Sequence, residues 1–124
     1  MILGGVDGGQ LDEVIEKSKQ IGVYDNVRFI GVRNDVSECL KLIDIYLFPS
    51  LYEGLGIVLL EAQASGCLCF ASTGVSREAD MGINRVVFID LEENTQVWAN
   101  TILERYKQQH SVSKEEIRNA FFKK

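Results

Sequence analysis

The sequence predicts an α/β fold, a doubly wound parallel sheet, and three observations carry the prediction. Short apolar runs alternate with longer amphipathic segments along the chain. One run, Ile45-Tyr46-Leu47-Phe48, is apolar throughout, the pattern of a strand covered on both faces in the middle of a parallel sheet. The stretch Pro49 to Gly66, PSLYEGLGIVLLEAQASG, then leaves that strand through a glycine turn and enters a helix. Ligands of such sheets gather at this end of the strands.

The elements follow in order. Met1 to Leu3 read as the end of a strand, and Gly4-Gly5-Val6-Asp7-Gly8-Gly9 as a tight glycine turn. Leu11, Val14, Ile15 and Ile21 are spaced for one face of a helix, with Gly22 as its C-cap. Val27 to Ile30 form a short strand broken by Gly31. Asp35 is placed to cap a short helix through Ile43, with Val36, Cys39, Leu40 and Ile43 inward. Pro49 ends the strand Ile45 to Phe48, and a helix from about Leu55 to Ala64 is closed by Gly66. Cys67 to Ala71 and Val86 to Ile89 are further buried strands. Thr95 to Gln109 make a helix with Trp98, Ile102, Leu103 and Tyr106 inward. Ser113 to Phe122 make a last one, with Ser113 and Glu116 spaced as a capping box. Tyr24, Phe29, Phe48, Phe70 and Phe88 join Trp98 at core-facing positions.

Bulk properties narrow the function classes. The 124 residues suit one domain, and 46% apolar with 25% charged residues is a globular balance. A net charge of −5, without a stripe of cations interleaved with aromatics, argues against nucleic acid as a partner. It is compatible with one bound diphosphate, which a helix N-terminus holds locally. Cys39, Cys67 and Cys69 are odd in number and lack CxxC spacing, which speaks against a disulfide framework or a zinc site. Free buried thiols in a reducing cytoplasm are the simpler reading. His110 sits alone in a polar stretch and reads as a surface residue. No apolar run is long enough to span a bilayer. Two lysines after Phe121-Phe122 are too few to press a membrane-surface reading.

The informative stretch runs from Tyr52 to Glu61, YEGLGIVLLE. Gly54 and Gly56 let backbone approach a ligand without a Cβ in the way. The N–H groups of Leu55, Gly56 and Ile57 at a helix start, with the helix dipole, make an anion site suited to a diphosphate. Glu53 lies in the turn at its mouth, and Glu61 one turn past Ile57 and Val58 on their side. Each carboxylate accepts several hydrogen bonds, so the pair suits vicinal hydroxyls. Spacing alone leaves the alternative open. A glycine turn between strand and helix is common, Glu53 also serves as a helix-dipole partner, and Glu61 as a solvated helix residue.

From Leu3 to Glu78 the chain resembles the donor-binding domain of the retaining GT-B glycosyltransferases often called group 1. Glu53 and Glu61 match the family's Glu-x7-Glu motif, and Pro49-Ser50-Leu51-Tyr52-Glu53-Gly54 and Glu61-Ala62-Gln63-Ala64-Ser65-Gly66 match its flanks. Asn26 to Val36 matches the family's strand and base-side loop. Gln63 to Gly66, Arg77 to Asp80 and Val97 to Ala99 look most like the bacterial capsule and exopolysaccharide branch. The resemblance implies the incomplete C-terminal half of a GT-B fold, with residues 1–124 as a donor-binding domain truncated on its N-terminal side. It implies that Glu53 holds donor-sugar hydroxyls as the catalytic-site carboxylate. Gly54, Leu55, Gly56 and Ile57 would meet the diphosphate, Glu61 the ribose, and Val32, Arg33 and Val36 the base.

The same resemblance implies a nucleoside-diphosphate sugar as donor, a saccharide or lipid-linked acceptor, and neither cofactor nor metal. The family's diphosphate-neutralising Arg and Lys lie upstream of the matched segment. Its acceptor-binding domain is outside this chain. The isolated chain is therefore expected to be inactive, in a protein of the cytoplasm or the inner face of its membrane. Two alternatives stand beside this reading. One is a non-catalytic nucleotide-binding or scaffold domain of the same fold. The other is a fragment of a GT-B-like sugar epimerase, for which the sequence offers no convincing acid–base pair.

Overall fold

Strand pairing in this computed structural model is parallel throughout, and the residues it describes are 2–4, 11–31, 33–51, 56–108 and 113–122. The expected glycine turn at 5–9 and His110 lie outside them. The chain divides into two compact units, Met1–Val36 and Ser37–Lys124.

The first unit pairs β1 (Ile2–Gly4) with β2 (Val27–Phe29), in register from Ile2 opposite Val27. Between them runs α1 (Leu11–Gln20) and a 3-10 turn at Tyr24–Asn26. Gly22, at φ 78°, ends α1 as expected. The amide of Val23 donates to the Ser18 carbonyl and that of Gly22 to Lys19, the paired bonds of a Schellman motif. The expected inner face of α1 is not its buried one. Leu11, Val14 and Ile21 are exposed, and the buried residue is Ser18, whose hydroxyl donates to the Ile15 carbonyl at 2.6 Å. Tyr24, expected in the core, is exposed as well, with the Lys19 ammonium 5.0 Å from its ring centre.

The second unit holds a three-stranded sheet in the order β3 (Ile45–Phe48), β4 (Leu68–Ser72), β5 (Val86–Ile89). Every residue of β4 is buried. Its side chains alternate between two clusters, as strand geometry requires. Cys69 and Ala71 face a layer with Leu59 and Ala62 of α3 (Ile57–Ala64). Leu68 and Phe70 face the other way, with Ile89 and with Trp98 and Ile102 of α4 (Thr95–Gln108). Helices therefore cover both faces of this sheet, the arrangement the alternating pattern predicted.

Three expectations about burial fail here. The strand buried on both faces is β4; β3 lies at the end of the three-strand order, and its Leu47 is half exposed. An apolar run shows that a strand is in a core, and does not show which neighbour shields it. The short helix α2 (Val36–Leu40) is barely longer than one turn, so it buries Leu40 at its end and leaves Val36 exposed. On α4 the inward residues are Trp98, Thr101, Ile102 and Arg105, a helical i, i+3, i+4, i+7 set. Leu103 and Tyr106 are exposed. The Arg105 guanidinium donates instead to the backbone and side-chain oxygens of Asn84.

Asn94 caps α4 by accepting from the Val97 amide at 2.9 Å. The capping box of α5 (Lys114–Phe122) is formed in both directions: the Glu116 amide donates to the Ser113 hydroxyl, and the Ser113 amide donates to the Glu116 carboxylate.

Candidate functional site

The candidate site sits where β3 and β4 end. Both strands are parallel, so the residues leaving them meet at one edge of the sheet, the carboxyl edge. From β3 come Pro49, Ser50 and Leu51; from β4 come Thr73, Gly74 and Val75. Glu53, Gly54 and Leu55, together with Tyr52, lie outside the described residues, as does Val32.

Helix α3 opens at Gly56, whose φ of 65° and ψ of 57° put it in the left-handed region. Glycine is the residue that enters this region without steric cost. A Cβ built there would meet Val75, Ala79 and Leu59 at 3.5 to 3.7 Å, so the conformation, more than space, selects glycine. The Gly56 carbonyl already accepts from the Leu59 and Leu60 amides. The amides of Ile57 and Val58 belong to the first turn of the helix, the turn whose N–H groups lie outside the helix's own hydrogen-bond ladder. Ile57 and Val58 are exposed, and so is Glu61 one turn on. The helix thus buries Leu59, Ala62 and Gln63 and turns Ile57, Val58 and Glu61 to the surface together. That is the common side expected for these three.

The far end of α3 is closed by a Schellman motif around Gly66, with the Cys67 amide bonded to the Ala62 carbonyl and Gly66 to Gln63. Beneath the helix lies Tyr46 of β3. Its phenol is pushed up from the usual value, first by burial and then by the charges of Cys69, Glu61 and Cys67. The thiols of Cys67 and Cys69 are both raised by burial, Cys67 to about 11. They are fully buried, and Cys67 lies 3.3 Å from the Leu40 and Ile43 carbonyls. A thiol held protonated is a poor nucleophile, so neither suits covalent chemistry.

Two features of this edge are not apparent from residue types. A 3-10 turn at Arg77–Ala79 follows β4, capped by the Ser76 hydroxyl accepting from the Glu78 amide. It carries Arg77, whose guanidinium lies 4.1 Å over the ring of Phe88. Gln63, a polar residue of α3, is fully buried and ties the helix to this turn. The one available signal was its place between Ala62 and Ala64 in an otherwise small-residue helix end.

The base-side residues belong to the first unit. Arg33 grips the Asp35 carboxylate with two bonds, Nε to Oδ1 at 2.7 Å and a terminal nitrogen to Oδ2 at 2.8 Å. Both partners are exposed, so the pair contributes little to stability, and it fixes the direction of the guanidinium. Among the described residues no cluster of His, Cys, Asp and Glu is arranged to hold a metal ion. Nor is any described helix long and apolar enough to cross a membrane.

Comparison with known proteins adds to this geometry. The family model described as group 1 glycosyl transferases matches residues 1–121. The glycosyltransferase EpsF of Bacillus subtilis (strain 168) is 38% identical over 102 residues, 82% of this chain and 26% of that protein. A UDP-Gal:α-D-GlcNAc-diphosphoundecaprenol α-1,3-galactosyltransferase of Escherichia coli is 44% identical over 43 residues, 35% of this chain and 11% of its own length. The crystal structure of WaaG, a glycosyltransferase involved in lipopolysaccharide biosynthesis, superposes with a TM-score of 0.66 at 30% identity, covering 88% of this chain and 30% of WaaG. The chain spans roughly a quarter to a third of the length of EpsF and WaaG.

Proposed function

The chain belongs to the group 1 glycosyl transferases, and from that premise we propose that it is the donor-binding portion of a retaining enzyme. The whole protein would transfer a hexose or amino-hexose from a nucleoside-diphosphate sugar to a saccharide or lipid-linked acceptor in the synthesis of a surface polysaccharide. The observation that carries this reading is the start of α3. A left-handed Gly56 opens a helix at the carboxyl edge of a parallel sheet, with Ile57, Val58 and Glu61 exposed on one side.

In the proposed chemistry the amides at the α3 start hold the departing diphosphate. Charge on the leaving phosphate grows in the transition state, and N–H groups already aimed at it need no reorganisation. Glu61 accepts from the ribose hydroxyls. Glu53 and Gly54-Leu55 take the roles assigned to them above, the sugar hydroxyls and the diphosphate. Arg33 and Val36 border the base. No metal enters the scheme. The acceptor is brought by another domain, and the protein works in the cytoplasm or against the inner face of its membrane. EpsF, WaaG and the galactosyltransferase support the class of reaction, and two of those names refer to lipid-linked or lipopolysaccharide products.

Calorimetry tests the reading. UDP or GDP should bind the chain, weakly, and Glu61→Ala should weaken a ribonucleotide more than it weakens pyrophosphate. Equal losses would remove the ribose assignment, and no binding of either nucleotide at millimolar concentration would remove the donor site. Turnover of a nucleotide sugar by this chain alone would contradict its expected inactivity.

A further inference from the structure

We infer that the segment after β4, residues 73–81, holds in place the two stems of the donor-diphosphate turn, the backbone leaving β3 and the start of α3, with Gly74 and Gln63 as its two positioning residues. The inference rests on the functional reading above only for what the turn binds.

The turn has one stem on each side: Ser50 and Leu51 leaving β3, and Gly56 and Ile57 entering α3. The segment after β4 touches both. On the β3 side, Ser72, the last residue of β4 and the one that leads into the segment, is buried and its hydroxyl donates to the Ser50 carbonyl. Gly74 then lies so close to the stem that a Cβ on it would fall 2.2 Å from the Leu51 carbonyl oxygen and 2.9 Å from its carbon. Those are backbone atoms, and no side-chain rotation relieves the clash. The contact exists because residue 74 has no side chain, whereas Gly56 is glycine for its dihedral angles.

On the α3 side the same segment is the wall behind the helix start. Val75 and Ala79 stand 3.5 and 3.6 Å from where a Gly56 Cβ would be. Gln63 holds that wall. Its amide nitrogen donates to the Leu59 carbonyl in its own helix at 3.0 Å and to the Ala79 carbonyl at 2.6 Å. Its amide oxygen accepts from the Met81 amide at 2.9 Å. Both amide hydrogens and the oxygen are thus used, in a site with no water access. An apolar helix with one buried amide wired across to a neighbouring backbone carries a distance constraint that hydrophobic contact alone would leave soft.

A diphosphate bound by amides needs those amides placed to a fraction of an ångström. Substituting Gly74 or Gln63 would move a stem, and the amides it carries, without replacing a residue assigned to the ligand.

The test uses the 124-residue chain and its Gly74→Ala and Gln63→Met variants, with Ser72→Ala replacing Gly74→Ala if the latter fails to fold. Phe70→Leu, on the opposite face of β4, is the control for lost stability. Two readouts are taken at a temperature where each variant is folded: the Ile57 and Val58 amide resonances without ligand, and the affinity for UDP. The inference expects both amides to shift in the two positioning variants and UDP affinity to fall roughly ten-fold or more, with Phe70→Leu within about two-fold of the parent. Unchanged amides and affinity in folded variants would overturn it, as would an equal loss in Phe70→Leu. Shifted amides in the variants, with a parent chain that binds no UDP, would overturn the functional reading and the ligand half of the inference, while supporting the spacing role.

Discussion

Helices α1 and α3 are close in length and end alike, in Schellman motifs at Gly22 and Gly66. Their sequences invite opposite guesses from the ones the structure returns. Helix α1 has a clear apolar stripe, yet Leu11, Val14 and Ile21 remain 37%, 43% and 60% exposed. Helix α3 has almost no stripe, since IVLLEAQA is apolar on most sides, yet Leu59, Ala62 and the polar Gln63 are completely buried. Periodicity reports which side of a helix could be covered. The strand next to it decides whether it is, and β4 gives α3 a fully buried partner.

The contrast can be broken most directly at Leu59. Leu59→Ala should destabilise the chain by about 2–5 kcal/mol in urea unfolding, because it opens a cavity against Cys69 and Ala71. A loss under ~1 kcal/mol would mean that α3 is not the covered helix.

A second test reads the same layer through pH. The Cys67 thiol is raised from 9.0 to about 11, by burial first and by Asp44 second, with Arg85 opposing. The protonated form is the one the fold favours, so its contribution is whole below the unfolded value and lost as pH rises through the folded one. Unfolding free energy should therefore fall more steeply between pH 9 and about 11 in the parent than in Cys67→Ala. Identical pH slopes would show that the thiol is not held protonated. Alkylation of the folded chain at pH 8 should also reach the partly exposed Cys39 well before Cys67 or Cys69.

Smaller effects belong to the exposed helices. Ser113→Ala should cost about 1 kcal/mol by removing half of the α5 capping box. Amide exchange at the start of α5 should rise with it. Smallest of all, Val14→Ala on α1 should change stability by no more than about 0.5 kcal/mol. A Val14 effect equal to that of Leu59 would erase the distinction between the two helices.

Much of the fold is legible in the sequence where one physical signal dominates. The strands β4 and β5 read as apolar runs, the glycines at 22 and 66 as helix ends, and Ser113 with Glu116 as reciprocal caps. The missed details needed knowledge of a neighbour. Leu103 and Tyr106 look inward by residue type, whereas α4 half-buries Thr101 and Arg105 in their place, and Asn84 receives the Arg105 guanidinium. At the carboxyl edge, the helix start near Gly56 and the shared side of Ile57 and Glu61 are readable because a helix start and its next turn are local. Gln63 and Gly74 were not, because each is explained by atoms 16 to 24 positions away in the chain: Ala79, Met81, Ser50 and Leu51.

The alternation along β4 has a consequence for how such a chain changes over generations. Leu68 and Phe70 share their surroundings with Trp98 and Ile102, while Cys69 and Ala71 share theirs with α3, and the two sets have no side chain in common. Substitutions on opposite faces should therefore combine with little coupling. Residues beneath α4 are free to drift and be re-matched among themselves. The helix that opens at Gly56 can meanwhile stay where it is, so that one strand separates the part of the core open to variation from the part tied to the site.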